Sequence, residues 1–269
     1  MALADASPAV LFDTHAHLHG PEFADDRLDV LARARAAGVG RLLTVGTDPE
    51  ASRHAVALAA AHPGVFAAVG IHPHDAARAS DAALAEIAEL ARAPEVVAVG
   101  EIGLDYYRNL SPREVQGRAL RAQLALAREV GKPVLLHCRE AHEDLLEVLR
   151  AEDVGAVGGI MHCFSGDLAV AERCLALGLL VSIAGPVTYP NAGRLQTVVR
   201  ALDLERLVIE TDCPYLPPQP WRGKRNEPAY LPRTAARIAE LRDTSVARVA
   251  RQTTRNACAL LGVALPDGL

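Results

Sequence analysis

Short apolar runs alternate with helical patterns from one end of the chain to the other. RLLTVGT, FAAVGIH, VVAVGEIG, PVLLHC, GGIMHCF, LLVSIAG and RLVIETD are largely apolar on successive residues, as a strand covered on both faces requires. With the opening AVLFDTH they make eight strands. Between them, apolar positions recur at helical spacing over residues 24–37, 50–61, 81–92, 112–130, 140–150, 168–177 and 192–200. After the eighth strand comes one long irregular segment, CPYLPPQPWRGKRNEP, and then two closing helices. Strict alternation of strand and helix predicts a parallel sheet, and eight units predict a (β/α)8 TIM-type barrel, regular or distorted. An open doubly wound sheet is the alternative, but no glycine-rich phosphate fingerprint follows the first strand. No internal repeat or low-complexity linker divides the chain, so residues 1–269 read as one domain.

Composition narrows the picture. Half of the residues are hydrophobic and only 4% are aromatic, so Ala, Leu and Val fill the core. A net charge of -5 argues against a general polyanion-binding surface, and any nucleic-acid contact must be local. No apolar run approaches the roughly 18 residues of a membrane span. The start, MALADASPAV, lacks a basic segment followed by an apolar block. The five cysteines are odd in number and do not suggest a disulfide framework. The expectation is a soluble, cytoplasmic protein with no membrane association and no evident obligate protein partner.

The chemistry sits at the strand ends. Strand one ends in His15 and His17, strand three in His72 and His74, and strand four in Glu101. Strand five ends in His137, strand six in His162 and strand eight in Asp212. In a parallel barrel these ends converge on one mouth, so residues spread over about two hundred positions meet there. One histidine at a strand end is ordinarily a satisfied core or surface group; its recurrence on several strands points to a metal centre. His15 and His17, two residues apart, share a strand face and can chelate one ion. Asp13, on that face one step lower, either anchors a ligand or is a plain buried polar residue. His19 reads as a loop residue, and His54, His62 and His142 fall in helical or turn patterns. Cys138, Cys163 and Cys213 each follow a candidate ligand, so alternation turns them toward the helix layer as small buried hydrophobes.

The set FDTHAHL, GIHPH, GEIGLDYY, LLHCREA, MHCFSG, IETDCPYLPP and RGKRNEP closely resembles the TatD-type metal-dependent deoxyribonucleases, in order and over nearly the whole chain. The resemblance implies a (β/α)8 barrel with two divalent ions that hydrolyses phosphodiester bonds at nucleic-acid ends. It implies that His15 and His17 hold one ion, completed by Asp212, that His137 and His162 hold the other, and that Glu101 bridges them. It also suggests the 3′ end of a single strand, of DNA and also RNA, as substrate. Phosphodiester hydrolysis suits such a pair, since two ions can activate water, neutralise the phosphate and steady the leaving oxygen. Asp212 would accept the water's proton, and Glu101 and His72 complete the catalytic set. His72 is expected either as a donor to the phosphate or as a ligand for a third ion; in HPH a proline turn separates it from His74. Imidazole-rich sites suit Zn or Mn, whereas the family is commonly active with Mg.

The late loop supplies cations. WRGKRNEP brings Arg222, Lys224 and Arg225 together beside Trp221, a combination that grips phosphates and stacks a base. Arg108, Arg139 and Ser165 add to the rim, and Tyr106 and Tyr107 stack bases or pack. Two rival functions are a barrel hydrolase of another ester or amide, such as a D-aminoacyl-tRNA deacylase, and a scaffold with a structural metal. Many amide hydrolases of this class bridge their ions with a carboxylated lysine, where this chain has Glu101. A structural site is closed and tetrahedral, and this set has too many ligands for one.

Overall fold

A computed structural model describes residues 10–266 and 269. The start of the chain, where the sequence lacks a basic leader pattern, lies outside the described residues up to position 9, as does the first residue of the opening strand run. The strands are β1 (Leu11–Ala16), β2 (Val39–Val45), β3 (Val65–Val69), β4 (Val96–Asp105), β5 (Val134–Arg139), β6 (Gly159–Met161), β7 (Leu179–Ile183) and β8 (Leu207–Ile209). They pair in parallel in the order β1-β2-β3-β4-β5-β6-β7-β8. The helices are α1 (Arg27–Ala36), α2 (Pro49–Ala61), α3 (Asp81–Leu90), α4 (Arg113–Val130) and α5 (His142–Ala151). α6 (Leu168–Ala176), α7 (Gly193–Ala201), α8 (Leu231–Leu241) and α9 (Val246–Leu261) complete the set.

The barrel closes at a short seam. β8 is only three residues long, and the seam is made by the chain beyond it. Ala16 bridges Cys213, the His17 N–H donates to the Cys213 carbonyl at 2.8 Å, and the Asp212 N–H donates to the His15 carbonyl at 2.9 Å. Two segments of the candidate site are therefore stitched directly to each other. Phe12, Leu43, Ala68, Leu135, Ile160 and Val208, from strands on opposite sides of the barrel, form one buried cluster with Ala257, Cys258 and Leu261 of α9. Residues from opposite strands can touch only across the lumen, so its lower part is a dry plug rather than a pore. The larger cluster packs strands against helices. Helix starts follow local chemistry: Asp48, Ser80, Asp167 and Ser245 each accept a backbone N–H in the first turn of α2, α3, α6 and α9. Among the described residues no helix is long and apolar enough to cross a membrane.

Candidate metal centre

β4 is the structural spine of the site. Its ten residues are buried throughout, and alternation puts Glu101, Gly103 and Asp105 on one face. Gly103 pairs with His137 at φ 152°, and a Cβ there would collide with the His137 carbonyl. Only glycine lets β5 approach closely enough for one imidazole to meet both acids. At the seam, Asp212 adopts φ 57°, a left-handed conformation that aspartate tolerates, just beyond the end of β8.

Glu101 occupies the centre with its two oxygens facing opposite sets of imidazoles. Oε1 lies 2.8 Å from His137 Nδ1, 3.1 Å from His162 Nε2 and 3.4 Å from His72 Nε2. Oε2 lies 3.4 Å from His15 Nε2 and 3.8 Å from His17 Nε2. His15 and His17 bring their Nε2 atoms within 3.3 Å, and Asp212 Oδ1 is 3.6 Å from His17 Nε2. Ligand bonds of about 2.1 Å place neighbouring donor atoms of a tetrahedron or octahedron about 3.0–3.4 Å apart. The His15–His17 and His15–Glu101 spacings match the edges of such a shell, those from His17 to Asp212 and Glu101 are a few tenths of an ångström longer, and all four exceed ordinary hydrogen bonds. His15 Nδ1, on the other side of that ring, is buried without a partner. Donor type and spacing both fit a divalent ion. Three groups among the described residues converge closely enough to hold one: His15, His17 and Asp212; His15, His162 and Glu210; and His72, Glu101 and His137.

Partners on the far side of each ring fix its tautomer. His17 Nδ1–H donates to the Val45 carbonyl at 3.0 Å, which leaves its Nε2 lone pair facing Asp212 and Glu101. His162 has Glu210 at 2.9 Å from Nδ1, and His137 has Asp105 at 3.1 Å from Nε2. Each acid takes the outward N–H and leaves the inward nitrogen for an ion. His72 is the reverse. Its Nδ1 accepts the His74 N–H at 3.1 Å, so the neutral ring carries its proton on Nε2, toward Glu101. That makes His72 a hydrogen-bond donor to the centre.

Charge follows the same plan. Burial and the neighbouring imidazoles pull His72 down to about 4, so it is neutral at pH 7. Burial opposes charge on His162 too, but the carboxylates of Glu210 and Glu101 outweigh it and hold this ring well above the ordinary value. Likewise, burial works against a charged His137, yet the Asp105 and Glu101 hydrogen bonds raise it. Burial would raise Asp212, and the contact with His17 reverses this and keeps the carboxyl below its usual range.

Glu210 and Asp105 are the site residues that the strand-end reading missed. Glu210 binds His162, the Cys163 N–H at 2.7 Å and Ser182 Oγ at 2.6 Å. Asp105 binds His74 Nε2 at 2.8 Å as well as His137. The signal was available in the two-residue alternation Glu101-Gly103-Asp105 and Val208-Glu210-Asp212. Other expectations shift. β3 stops at Val69, so His72 is held by the start of the 3-10 turn Pro73–Arg78 and not by a strand. The β1–β2 register changes between Asp13 and Ala16, and Asp13 leaves the histidine face; it accepts Thr211 N–H at 2.9 Å and Thr211 Oγ–H at 2.6 Å. Burial pushes this carboxyl up to about 7. Cys213 is buried as expected, but Cys138 and Cys163 are half-buried and line a cavity, because β6 ends at Met161 and Cys163 turns at φ 44°.

RGKRNEP divides between surface and framework. Arg222 and Lys224 are exposed, and Arg222 lies over the Tyr189 ring at 4.7 Å. Arg225 turns instead to Asp26, with two contacts of 2.8 and 2.7 Å, and to the Glu22 carbonyl at 2.7 Å. Asn226 is buried and donates to the Thr211 and Tyr215 carbonyls at 2.8 and 2.6 Å, and so holds the segment that carries Asp212. Glu227 pairs with Arg33. Trp221 stacks on Tyr230 at 4.2 Å, so this ring already has an aromatic partner. Arg108 is exposed after Asp105, which accepts its backbone N–H at 2.7 Å, and Ser165 lines the cavity. Tyr106 packs under Arg113 and donates to Asp144 at 2.8 Å, whereas Tyr107 is exposed beneath Arg139.

Comparison with known proteins gives the family and agrees with the fold. A family model described as TatD related DNase matches residues 12–262. The chain is 44% identical to the "Uncharacterized metal-dependent hydrolase YabD" of Bacillus subtilis, over 92% of this chain and 97% of that protein. It is 41% identical to the "3'-5' ssDNA/RNA exonuclease TatD" of Klebsiella pneumoniae, over 94% and 98%. Its fold is similar to the crystal structure of YJJV, a TatD homologue from Escherichia coli, with TM-score 0.91, 35% identity and coverage of 96% and 100%.

Proposed function

Because this chain belongs to the TatD-related DNase family of metal-dependent hydrolases, we propose that its barrel mouth is a two-metal phosphodiesterase that removes nucleotides from the 3′ ends of single-stranded DNA or RNA. One observation carries the reading: the Glu101 carboxylate sits with one oxygen toward His15 and His17 and the other toward His137 and His162. In this reading His15, His17 and Asp212 would hold one divalent ion and His137 and His162 the other, with Glu101 available to both. The imidazole-rich set favours Zn or Mn, with Mg able to serve through the carboxylates. When bound, the ions acidify the attacking water and neutralise the phosphate oxygens.

The chain's own residues do the rest. Asp212, kept ionised, accepts the water's proton. His72, neutral and protonated on Nε2, donates to a phosphate oxygen as charge develops, which favours the donor role over a third-ion ligand. Asp105 and Glu210 keep His137 and His162 aimed inward. The strand enters as an end, since the mouth is a cup above a packed lumen. The exposed Arg222, Lys224 and Arg108 meet its phosphates. Relatives that are named exonucleases favour this over ester or amide hydrolysis. A cytoplasmic location belongs to the same proposal and fits five cysteines that are mostly buried small hydrophobes.

The test is a digestion series on 5′-labelled single-stranded DNA, duplex DNA and RNA with Mg²⁺, Mn²⁺ or Zn²⁺. Linear single strands shorten stepwise, circular strands and EDTA-treated samples do not, and Glu101→Ala abolishes turnover while the far-UV spectrum is retained. Equal cleavage of circles and linear strands, or turnover by Glu101→Ala, overturns the reading.

A further inference from the structure

Charge is distributed unevenly around the outside of the barrel. Residues 186–201 and 213–241, which include α7, the loop after β8 and α8, contain seven cations and two acids, Glu227 and Glu240, in a chain whose net charge is -5. Glu227 is buried and held by Arg33, so it does not offset the exposed cations. Four strands away in the ring, and so on the opposite side, α3 carries Asp81, Glu86 and Glu89 and no cation. At physiological salt, exposed charges are screened beyond roughly 8 Å. The two flanks therefore act locally, and an acidic protein presents one cationic side.

Hydrogen bonds hold these cations on one flank. Gln196 Nε2 of α7 donates to the Val187 carbonyl at 3.1 Å, and the Gln219 N–H donates to Thr188 Oγ1 at 2.9 Å. Arg233 Nε, in the first turn of α8, donates to the Gln219 carbonyl at 3.2 Å. The short turn Gly185–Thr188 thus ties α7, the loop and α8 together. At the far end Arg242 donates to the Val199 carbonyl at 2.7 Å, where α8 packs on α7. Arg194 and Arg200 are exposed on α7, Arg222 and Lys224 on the loop, and Arg233 on α8. Arg237 lies one turn beyond Arg233 on the same helix face. Among the described residues Arg194, Arg200, Arg222 and Lys224 pair with no carboxylate, and Arg233 and Arg237 share Glu240 at 3.9 and 2.9 Å. On the other helices an exposed arginine such as Arg53 or Arg173 has an acid of its own, Glu86 or Glu143. Arg200 stands six residues beyond Arg194, about 9 Å of helix rise further from the mouth.

We infer that the outer flank of α7 and α8 carries the uncleaved body of the single strand, held through its phosphates from Arg222 and Lys224 down to Arg200 and Arg237. The inference rests on the nuclease reading and adds a second contact surface, outside the metal centre. Neither α7 nor α8 contains an aromatic residue, so nothing on them stacks a base and the contact is to the backbone alone. The flank therefore holds DNA and RNA of equal length alike. A strand long enough to lie along it gains affinity that a dinucleotide lacks, and because this contact is the same before and during cleavage it lowers KM without raising kcat.

The test is a length series of single strands with the Mg²⁺-loaded enzyme. KM falls as the strand grows from a dinucleotide to about 15 nucleotides, near the upper end of single-strand site sizes, while kcat stays level. Arg200→Gln combined with Arg237→Gln leaves the dinucleotide unaffected. For the long strand it raises KM about tenfold at about 0.15 M salt, because two lost phosphate contacts take about 1.4 from the salt slope. Arg118→Gln combined with Arg150→Gln removes the same charge from exposed positions on α4 and α5 and changes neither value. A KM independent of strand length, or an equal rise in both double variants, overturns the inference and leaves the nuclease reading standing. A labelled strand that the wild type binds in fluorescence anisotropy, that Arg200→Gln/Arg237→Gln binds about tenfold more weakly and that neither protein ever shortens keeps the flank and refutes the nuclease reading.

Discussion

Replacing Arg225 by Ala separates two physical roles for one cation. The guanidinium makes a two-pronged contact with Asp26 at 2.8 and 2.7 Å, donates to the Glu22 carbonyl at 2.7 Å and lies 4.7 Å over the Phe23 ring. The Asp26 and Arg225 side chains are 32% and 35% exposed. Hydrogen bonds from Arg225 and Arg33 pull Asp26 from 3.8 to about 2. At about 1.4 kcal/mol per pH unit that is ~2.5 kcal/mol for a dry site. Water screens a pair this exposed, and Arg33 keeps part of the interaction, so ~1 kcal/mol belongs to Arg225. The Phe23 contact adds roughly 0.5 kcal/mol. Arg225→Ala therefore costs about 1.5 kcal/mol, a Tm loss of roughly 3–6 °C at this chain length. A double-mutant cycle with Asp26→Asn should give a coupling of about 1 kcal/mol. The sign with pH is fixed: a depressed carboxyl contributes above its unfolded pKa, so the coupling is full above about pH 4 and disappears as pH falls toward 2. The assay is thermal and urea unfolding of all four proteins, alongside KM on a labelled single strand. KM should stay within about twofold of wild type, because Arg225 is committed to α1 rather than to phosphate. A several-fold rise in KM with an unchanged Tm would refute this and return Arg225 to the substrate.

Asp105→Asn and Glu210→Gln remove the acids that fix the His137 and His162 tautomers, and each should weaken metal affinity about 10–100-fold; competition with a chromophoric chelator checks it, and unaltered affinity makes these acids mere core partners. Asn226→Ala strands the Thr211 and Tyr215 carbonyls and should cost about 2–4 kcal/mol in urea unfolding, with kcat falling as the Asp212 segment loosens. Since nearby carboxylates hold His162 well above and His137 above the ordinary imidazole value, an ion must compete with protons for both rings, so Zn²⁺ uptake by EDTA-stripped protein should release protons and weaken as pH falls. Calorimetry in buffers of different ionisation enthalpy reads the proton count, and heats independent of buffer contradict it.

The barrel was legible because its signal is periodic. Eight apolar runs separated by helical patterns leave few arrangements, and the strand order β1 to β8 is the simplest of them. Boundaries were less legible where a short turn runs into a helix. The pattern over 24–37 begins before α1, which starts at Arg27 after the short turn Pro21–Phe23. β6 and β8 are three-residue strands within longer apolar runs, because hydrophobicity reports burial and not ladder pairing. The metal candidates stood out because histidine at successive strand ends has no routine packing role.

Asp105, Glu210 and Arg225 show where composition stops being informative. A buried carboxylate two residues from a ligand looks the same in sequence whether it binds an ion, aims an imidazole or pins a backbone amide. Asp212 and Glu210 share a face of the strand-eight run, yet Asp212 faces His17 while Glu210 faces the outward nitrogen of His162. What separates them is which side of a ring they approach, and that depends on strands 48 residues apart. Arg225 is a sharper case. Its neighbours in the chain are cationic and exposed, so local charge pattern assigns it to phosphate; its partner is 199 residues away at the entrance to α1. An arginine gains more from two fixed N–H···O contacts to one carboxylate than from a mobile contact with solvent-screened phosphate. Among the described residues Arg222 and Lys224 make no ion pair with an acid, so under the proposed reading they are the loop's cations open to the strand. Trp221 beside them is drawn into the framework in the same way, stacked on Tyr230.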